Sequence, residues 1–233
     1  NQAKNGQWPY GEPTSIPEDV PTFRRPDQED VATSGKVKKR KKRSKPIMIF
    51  PQRTGVDSGD NSNSQYAILG LRACMEANVW PPRKNLLRAL NWWQGSMHTD
   101  GGWGYQGAGN EGYGSMTFGA VGSIVILQHY LRRNWKRDVC VGKGLKWAAN
   151  NFTVTENPGK KSWHYYYLYA VERTGVLTGL RNFGNHDWYK IGAHYLLENQ
   201  KDEGSWGDHR NTCFAILFLK RATPPLKKVK TGR

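Results

Sequence analysis

From residue 62 onward the chain alternates apolar and polar positions with helical rather than strand periodicity. Tyr66, Leu69, Ala73 and Ala77 recur at spacings of three and four, which puts them on one face of a helix. Ser62 or Asn63 is the expected N-cap, and Trp80-Pro81-Pro82 ends the segment, because proline cannot continue a helix. A second helix is predicted over about 84–94, with Leu86, Leu87, Leu90 and Trp93 on its apolar side. The pattern then repeats. A glycine-rich helix over about 115–131 is followed by a partner over about 139–150. An aromatic helix over about 162–177 is followed by a partner over about 188–200, and a last helix covers about 212–221 before Pro224-Pro225. No run in this region alternates with period two, so residues 61–223 are predicted to be all-α, built as three helical hairpins with no sheet.

Three loops carry one signature: Gln2 to Gly6-Gln7-Trp8, Gln94 to Gly101-Gly102-Trp103, and Gln200 to Gly204-Ser205-Trp206. Each places Gln at a helix end, then a polar turn, then Gly-x-Trp. Gln precedes Trp by six residues in the outer copies and nine in the middle one. The amide is expected to bond free carbonyls at its helix end, the glycine to supply the turn, and the indole to cover the next junction. The copy expected near Asn151 has decayed.

These loops resemble the QW motifs of squalene-hopene cyclases and related terpenoid cyclases, whose α/α toroid is shared by protein prenyltransferase β-subunits. The resemblance covers residues 1–10 and about 60–223. The Asp60 to Leu71 and Asp208 to Leu219 segments also look like helix starts in uncharacterised bacterial members. It implies inner helices around a central cavity, wrapped by outer helices, and a ligand that is apolar and isoprenoid-like, or a peptide. A full toroid has about six hairpins. Three are visible here as a partial toroid, with residues 1–11 as the tail of a truncated repeat, so the remaining hairpins are expected from upstream sequence or from a second copy.

Class II cyclases of this family protonate their substrate with the central aspartate of an Asp-x-Asp-Asp-Thr motif. The best local match is Asp60-Asn61-Ser62-Asn63-Ser64, where Ser62 and Asn63 stand at the acidic positions. A hydroxyl and an amide cannot protonate an alkene at neutral pH. The chain is therefore not expected to cyclise squalene, and Asp57 and Asp60 are the remaining candidate acids. Asp60 to Ser64 reads either as a cap and turn or as a polar cavity mouth. Prenyltransferases hold zinc with Asp, Cys and His. Asp138, Cys140, His209 and Cys213 have the right chemistry, but Asp138 and Cys140 open an outer helix, so cap and core roles are expected, with no metal and no cofactor. In Trp163-His-Tyr-Tyr-Tyr-Leu-Tyr169 the aromatic residues cannot all share one face. Trp163 and Tyr167 are the expected cavity-facing pair, with Asn63 and His209 as further ligand contacts.

Charge adds one feature outside this frame. The net charge is +16, and eight basic residues, Lys36, Lys38, Lys39, Arg40, Lys41, Lys42, Arg43 and Lys45, fall within ten positions. Lys227, Lys228, Lys230 and Arg233 add four more in a tail over 224–233. These stretches hold no acid and carry most of the excess, so the helical part is only mildly basic. The run lies in a proline-rich linker or long loop over 12–60, too poor in apolar residues to offset the entropy of ordering. It reads as a contact for an anionic partner, nucleic acid or membrane surface, made through backbone charge rather than sequence, or as a solvated loop. The three cysteines fit no zinc or redox spacing; Cys74 and Cys213 sit in apolar runs as small hydrophobes, and all three are expected to be reduced. No apolar run reaches eighteen residues, and no signal peptide is visible.

Overall fold

The computed structural model describes residues 2–10 and 58–227, which belong to one compact unit. Seven α-helices account for its regular structure: α1 (Asn61–Glu76), α2 (Arg83–Gly95), α3 (Gly114–Tyr130), α4 (Val139–Asn151), α5 (His164–Thr178), α6 (Trp188–Glu198) and α7 (His209–Leu219). The expectation of no sheet needs one correction. Asn182–Phe183 and His186–Asp187 pair as a two-residue antiparallel hairpin, β1 and β2, in the α5–α6 connection. The turn there passes through Gly184 at φ +59°, a conformation open to glycine.

Helices α1, α3, α5 and α7 pack in sequence, each against the next, while α2 and α4 lie on α3 and α6 lies on α5 and α7. Helix α3 is the centre of this arrangement. Every one of its residues except His129 is buried, which is why its sequence shows no polar stripe. One apolar cluster joins Ile68, Leu90, Trp93, Trp103 and Ile124 from α1, α2, α3 and the loop before α3. A second joins Phe118, Tyr167, Phe183, Trp188 and Phe218 around α5. The aliphatic and aromatic areas buried in these two clusters are the main source of stability, at about 25 cal/mol per Å².

The three Gly-x-Trp loops share one set of hydrogen bonds. In each, the residue five before Trp and the residue one before it bond through their backbones (Ala3 N–H to Gln7, Lys201 N–H to Ser205), with His98 and Gly102 in the middle copy. Gly6, Gly101 and Gly204 all have positive φ, at +103°, +91° and +86°. The Trp N–H donates to a hydroxyl in the first turn of the next helix: Ser64 at 2.9 Å, Thr117 at 3.0 Å and Thr212 at 3.1 Å. The Trp103 and Trp206 indoles donate back to Trp93 and Leu196 carbonyls at the preceding helix end, 2.8 and 2.7 Å away. Trp103 and Trp206 therefore each tie one helix end to the next helix start, and Trp8 is tied to the start of α1 alone.

The glutamine does not act as expected. Gln2 and Gln200 amides bond the carbonyls of their own loop glycines, Gly6 and Gly204. In the middle copy that register position is Met97, and Gln94 instead donates to Asp138, the cap of α4. The nine-residue spacing is thus a different glutamine, not a longer loop. Asp60, rather than Ser62 or Asn63, caps α1. Helix α7 begins at His209 under an Asp208 cap, three residues earlier than predicted. Cys74 and Cys213 are exposed rather than packed in apolar faces, and all three cysteines are free thiols.

The α4–α5 connection has no Gly-x-Trp loop and is held instead by Asn157. The fully buried Asn157 accepts from Ser115 N–H through Oδ1 and donates to the Ser115 hydroxyl and the Ser162 carbonyl.

Candidate functional site

The N-terminal ends of α1, α3, α5 and α7 surround a cavity of about 510 Å³. Helix α1 contributes Ser62 and Tyr66, α3 Ser115 and Met116, α5 Tyr166, and α7 Arg210 and Phe214. Trp163, the residue before α5, stands at the rim, and the loops add Tyr10, Tyr105, Tyr113 and Lys160. Seven of these twelve residues are aromatic and none is acidic. The cup can take an apolar body against ring faces while offering hydroxyl and cationic donors.

Trp163 has φ +64°, a left-handed conformation that costs a non-glycine residue about 1–2 kcal/mol. Its indole is 58% exposed, and the Arg210 guanidinium lies 5.7 Å from the ring centroid. Arg210 also pairs with Asp208 at 2.8 Å. Lys160, in the turn after Asn157, holds its ammonium 5.0 Å from the Tyr113 ring and 6.0 Å from Tyr105. Burial pushes the Tyr113 phenol up to about 12, helped by the nearby Asp60 carboxylate, and burial raises Tyr105 and Tyr166 as well. Tyr105, Tyr113 and Tyr166 therefore remain hydrogen-bond donors at neutral pH.

The floor is wired to a buried cation. Arg173, 3% exposed, is packed between the rings of Tyr66 and Tyr169, with centroids 5.0 and 4.4 Å from its guanidinium carbon. It donates through Nη2 to Gln65 Oε1, Gln65 Nε2 donates to the Tyr166 hydroxyl at 2.6 Å, and Tyr166 meets the Ser62 hydroxyl at 2.8 Å. Arg173 Nη1 has no described partner. Its neighbour Glu172 turns away, accepting both the N–H and the hydroxyl of Thr223 at 3.0 and 2.7 Å. Burial raises the Glu172 carboxyl above its usual range against these bonds.

Trp163 lies on the cup, as expected, but Tyr167 does not. Its ring is fully buried between α5 and the second apolar cluster, edge-on to Phe118 at 5.6 Å, with its hydroxyl donating to the Thr153 carbonyl. One residue is about 100° of helix rotation, so Tyr166 takes the cavity-facing place. Asn63 is occupied at the α1 cap, its N–H and Nδ2 each 2.7 Å from an Asp60 oxygen. His209 is exposed at the start of α7 and is not on the lining, unlike its neighbour Arg210. Asp57 and the whole run from Lys36 to Lys45 lie outside the described residues. Among the described residues no three His, Cys, Asp or Glu side chains converge as metal ligands, so Asp138, Cys140, His209 and Cys213 do not assemble a site. No described helix is long and apolar enough to cross a membrane.

Pattern reading missed three residues. Arg173 and Gln65 lie on helical faces that read as ordinary polar positions, and only the approach of α1 to α5 makes them partners. Asn61 accepts from Trp92 Nε1 at 2.8 Å and donates to the Gly104 carbonyl at 2.9 Å, holding α2 and the loop before α3 against the start of α1. The one available signal was the run of polar residues at the α1 start. Compared with known proteins, the chain matches no family model and no curated protein sequence.

Proposed function

We propose that this chain is a squalene-cyclase- and prenyltransferase-like α/α-toroid module, in which the aromatic cup binds an apolar, isoprenoid-like ligand without protonating it. The three superposable Gly-x-Trp loops and the alternating packing of α1 to α7 support the toroid-type architecture. The observation that carries the binding function is the cup itself: about 510 Å³, seven aromatic side chains among twelve, and no carboxylate on the wall. That volume falls in the usual range for small-molecule sites.

Catalysis by an acid has less support. Asp60 is the one candidate acid among the described residues, and both its oxygens accept from Asn63 while it caps α1. A carboxylate held in this way is a structural acceptor rather than a free proton donor.

Calorimetric titration with geraniol tests the binding function. Saturable binding is expected, weakened at least fivefold by Phe214→Ala. Absence of binding, or equal affinity in that variant, would remove the cup as the site.

A further inference from the structure

The wall of the cup carries two cations and no acid, and the hydrogen-bond chain beneath it has a direction. Arginine has donors only, so the Gln65 atom facing Arg173 is Oε1, and the amide nitrogen must face Tyr166. The Tyr166 oxygen therefore accepts from Gln65. Its single hydrogen has one described partner, the Ser62 oxygen at 2.8 Å. In the arrangement that satisfies the most hydrogens, Tyr166 donates to Ser62 and the Ser62 hydrogen is left free for the cup. The relay begins at a buried cation that no carboxylate pairs with among the described residues. Hydrogen bonds in series polarise one another in a low-dielectric interior, which makes Ser62 a strengthened donor. Lys160 has no described ion pair and brings a second positive group over the Tyr113 ring. The positive ends of α3 and α5, neither of them capped by a carboxylate, add to the same field.

We propose that the ligand is an amphiphilic carboxylate. Its acid head accepts from Ser62 and Lys160, and its apolar chain lies against Trp163 and Phe214. This rests on the cup being the apolar-ligand site and adds the chemistry of the head group. A neutral alcohol would accept from Ser62 but gain nothing from Lys160 or the buried guanidinium. An amine would place a cation against Lys160 with no acid on the wall to offset it.

Three ligands with one body separate these cases: geranic acid, geraniol and geranylamine, titrated by calorimetry at pH 8 and low salt. Geranic acid is expected to bind at least tenfold tighter than geraniol, with geranylamine weakest. Ser62→Ala and Lys160→Gln should each weaken geranic acid about fivefold or more, and Lys160→Gln should leave geraniol within twofold. Lys160→Gln alters a rim side chain outside the relay, so it carries the test if Ser62→Ala disturbs folding. Equal affinity for acid and alcohol, or tightest binding of the amine, overturns the carboxylate assignment and leaves the apolar site standing. If none of the three binds, both fall together.

Discussion

Replacing Gly119 by Ala places a methyl carbon 2.3 Å from Gln65 Oε1 and 2.6 Å from its Cδ. Helix α3 passes this close to α1 because the position has no side chain. The clash is with the far end of a flexible side chain, so Gln65 can swing aside. Doing so strips the hydrogen bond from Arg173, a buried charge, and the bond to Tyr166. A hydrogen bond to a charged group contributes about 1.5–3 kcal/mol and a neutral one about 1 kcal/mol. Alanine recovers about 1 kcal/mol through helix propensity. The expected net loss is about 1.5–3 kcal/mol. Gly122, one turn further along α3, is the control. There the new methyl would sit 3.4 Å from Leu177 Cδ1 and 3.5 Å from Thr174 Oγ1, ordinary contacts, so Gly122→Ala should stabilise by about 0.5–1 kcal/mol. Urea unfolding followed by far-ultraviolet circular dichroism gives both values. The two variants should move in opposite directions, and Gly119→Ala should also lose most of the discrimination between geranic acid and geraniol. Equal stabilisation by both alanines would show that Gln65 is not confined, and the directed relay would go with it.

Three further outcomes follow from other parts of the molecule. Trp163→Gly relieves a left-handed residue, worth about 1–2 kcal/mol, against a glycine entropy cost of about 0.5–1 kcal/mol; thermal unfolding should show little change or slight stabilisation while geraniol affinity falls, and a large loss of stability would mean the indole is a packing element instead. His164 is held below the ordinary imidazole value mainly by burial, against its bond to the Val154 carbonyl. Its unfolded form takes up a proton near pH 6.5 while the folded form resists, so its contribution is full above that pH and is lost as pH falls through the folded value; melting curves between pH 7.5 and 5 should slope less in His164→Gln, and an unchanged slope would refute the assignment. For Lys36 to Lys45, binding to two unrelated RNA sequences should fall about 10³- to 10⁵-fold between 50 and 200 mM salt if six to ten phosphates are engaged, and should vanish without a change in melting temperature when the run becomes Gly and Ser; weak, salt-independent binding would remove the anionic partner.

The helices and their order were legible because apolar spacing is a local property. Leu86, Leu90 and Trp93 mark a face of α2 whatever that face meets. The Gly-x-Trp loops were legible for a similar reason, since each is a short closed structure whose bonds run mostly within itself and to its two flanking helices. The chain by itself thus determined seven helical segments and the positive-φ glycines at their joints. Tertiary structure decided everything that depends on helix rotation and approach. Whether Tyr166 or Tyr167 faces the cup turns on about 100° of rotation, which a segment aromatic on all sides does not encode. Gln65 and Arg173 are 108 positions apart and become partners only because Gly119 lets α1 come close. Met97, not Gln94, completes the middle loop, because the register of a turn is set by its backbone bonds and not by the nearest matching side chain. The cup itself exists only where four helix starts, distant in sequence, are brought side by side.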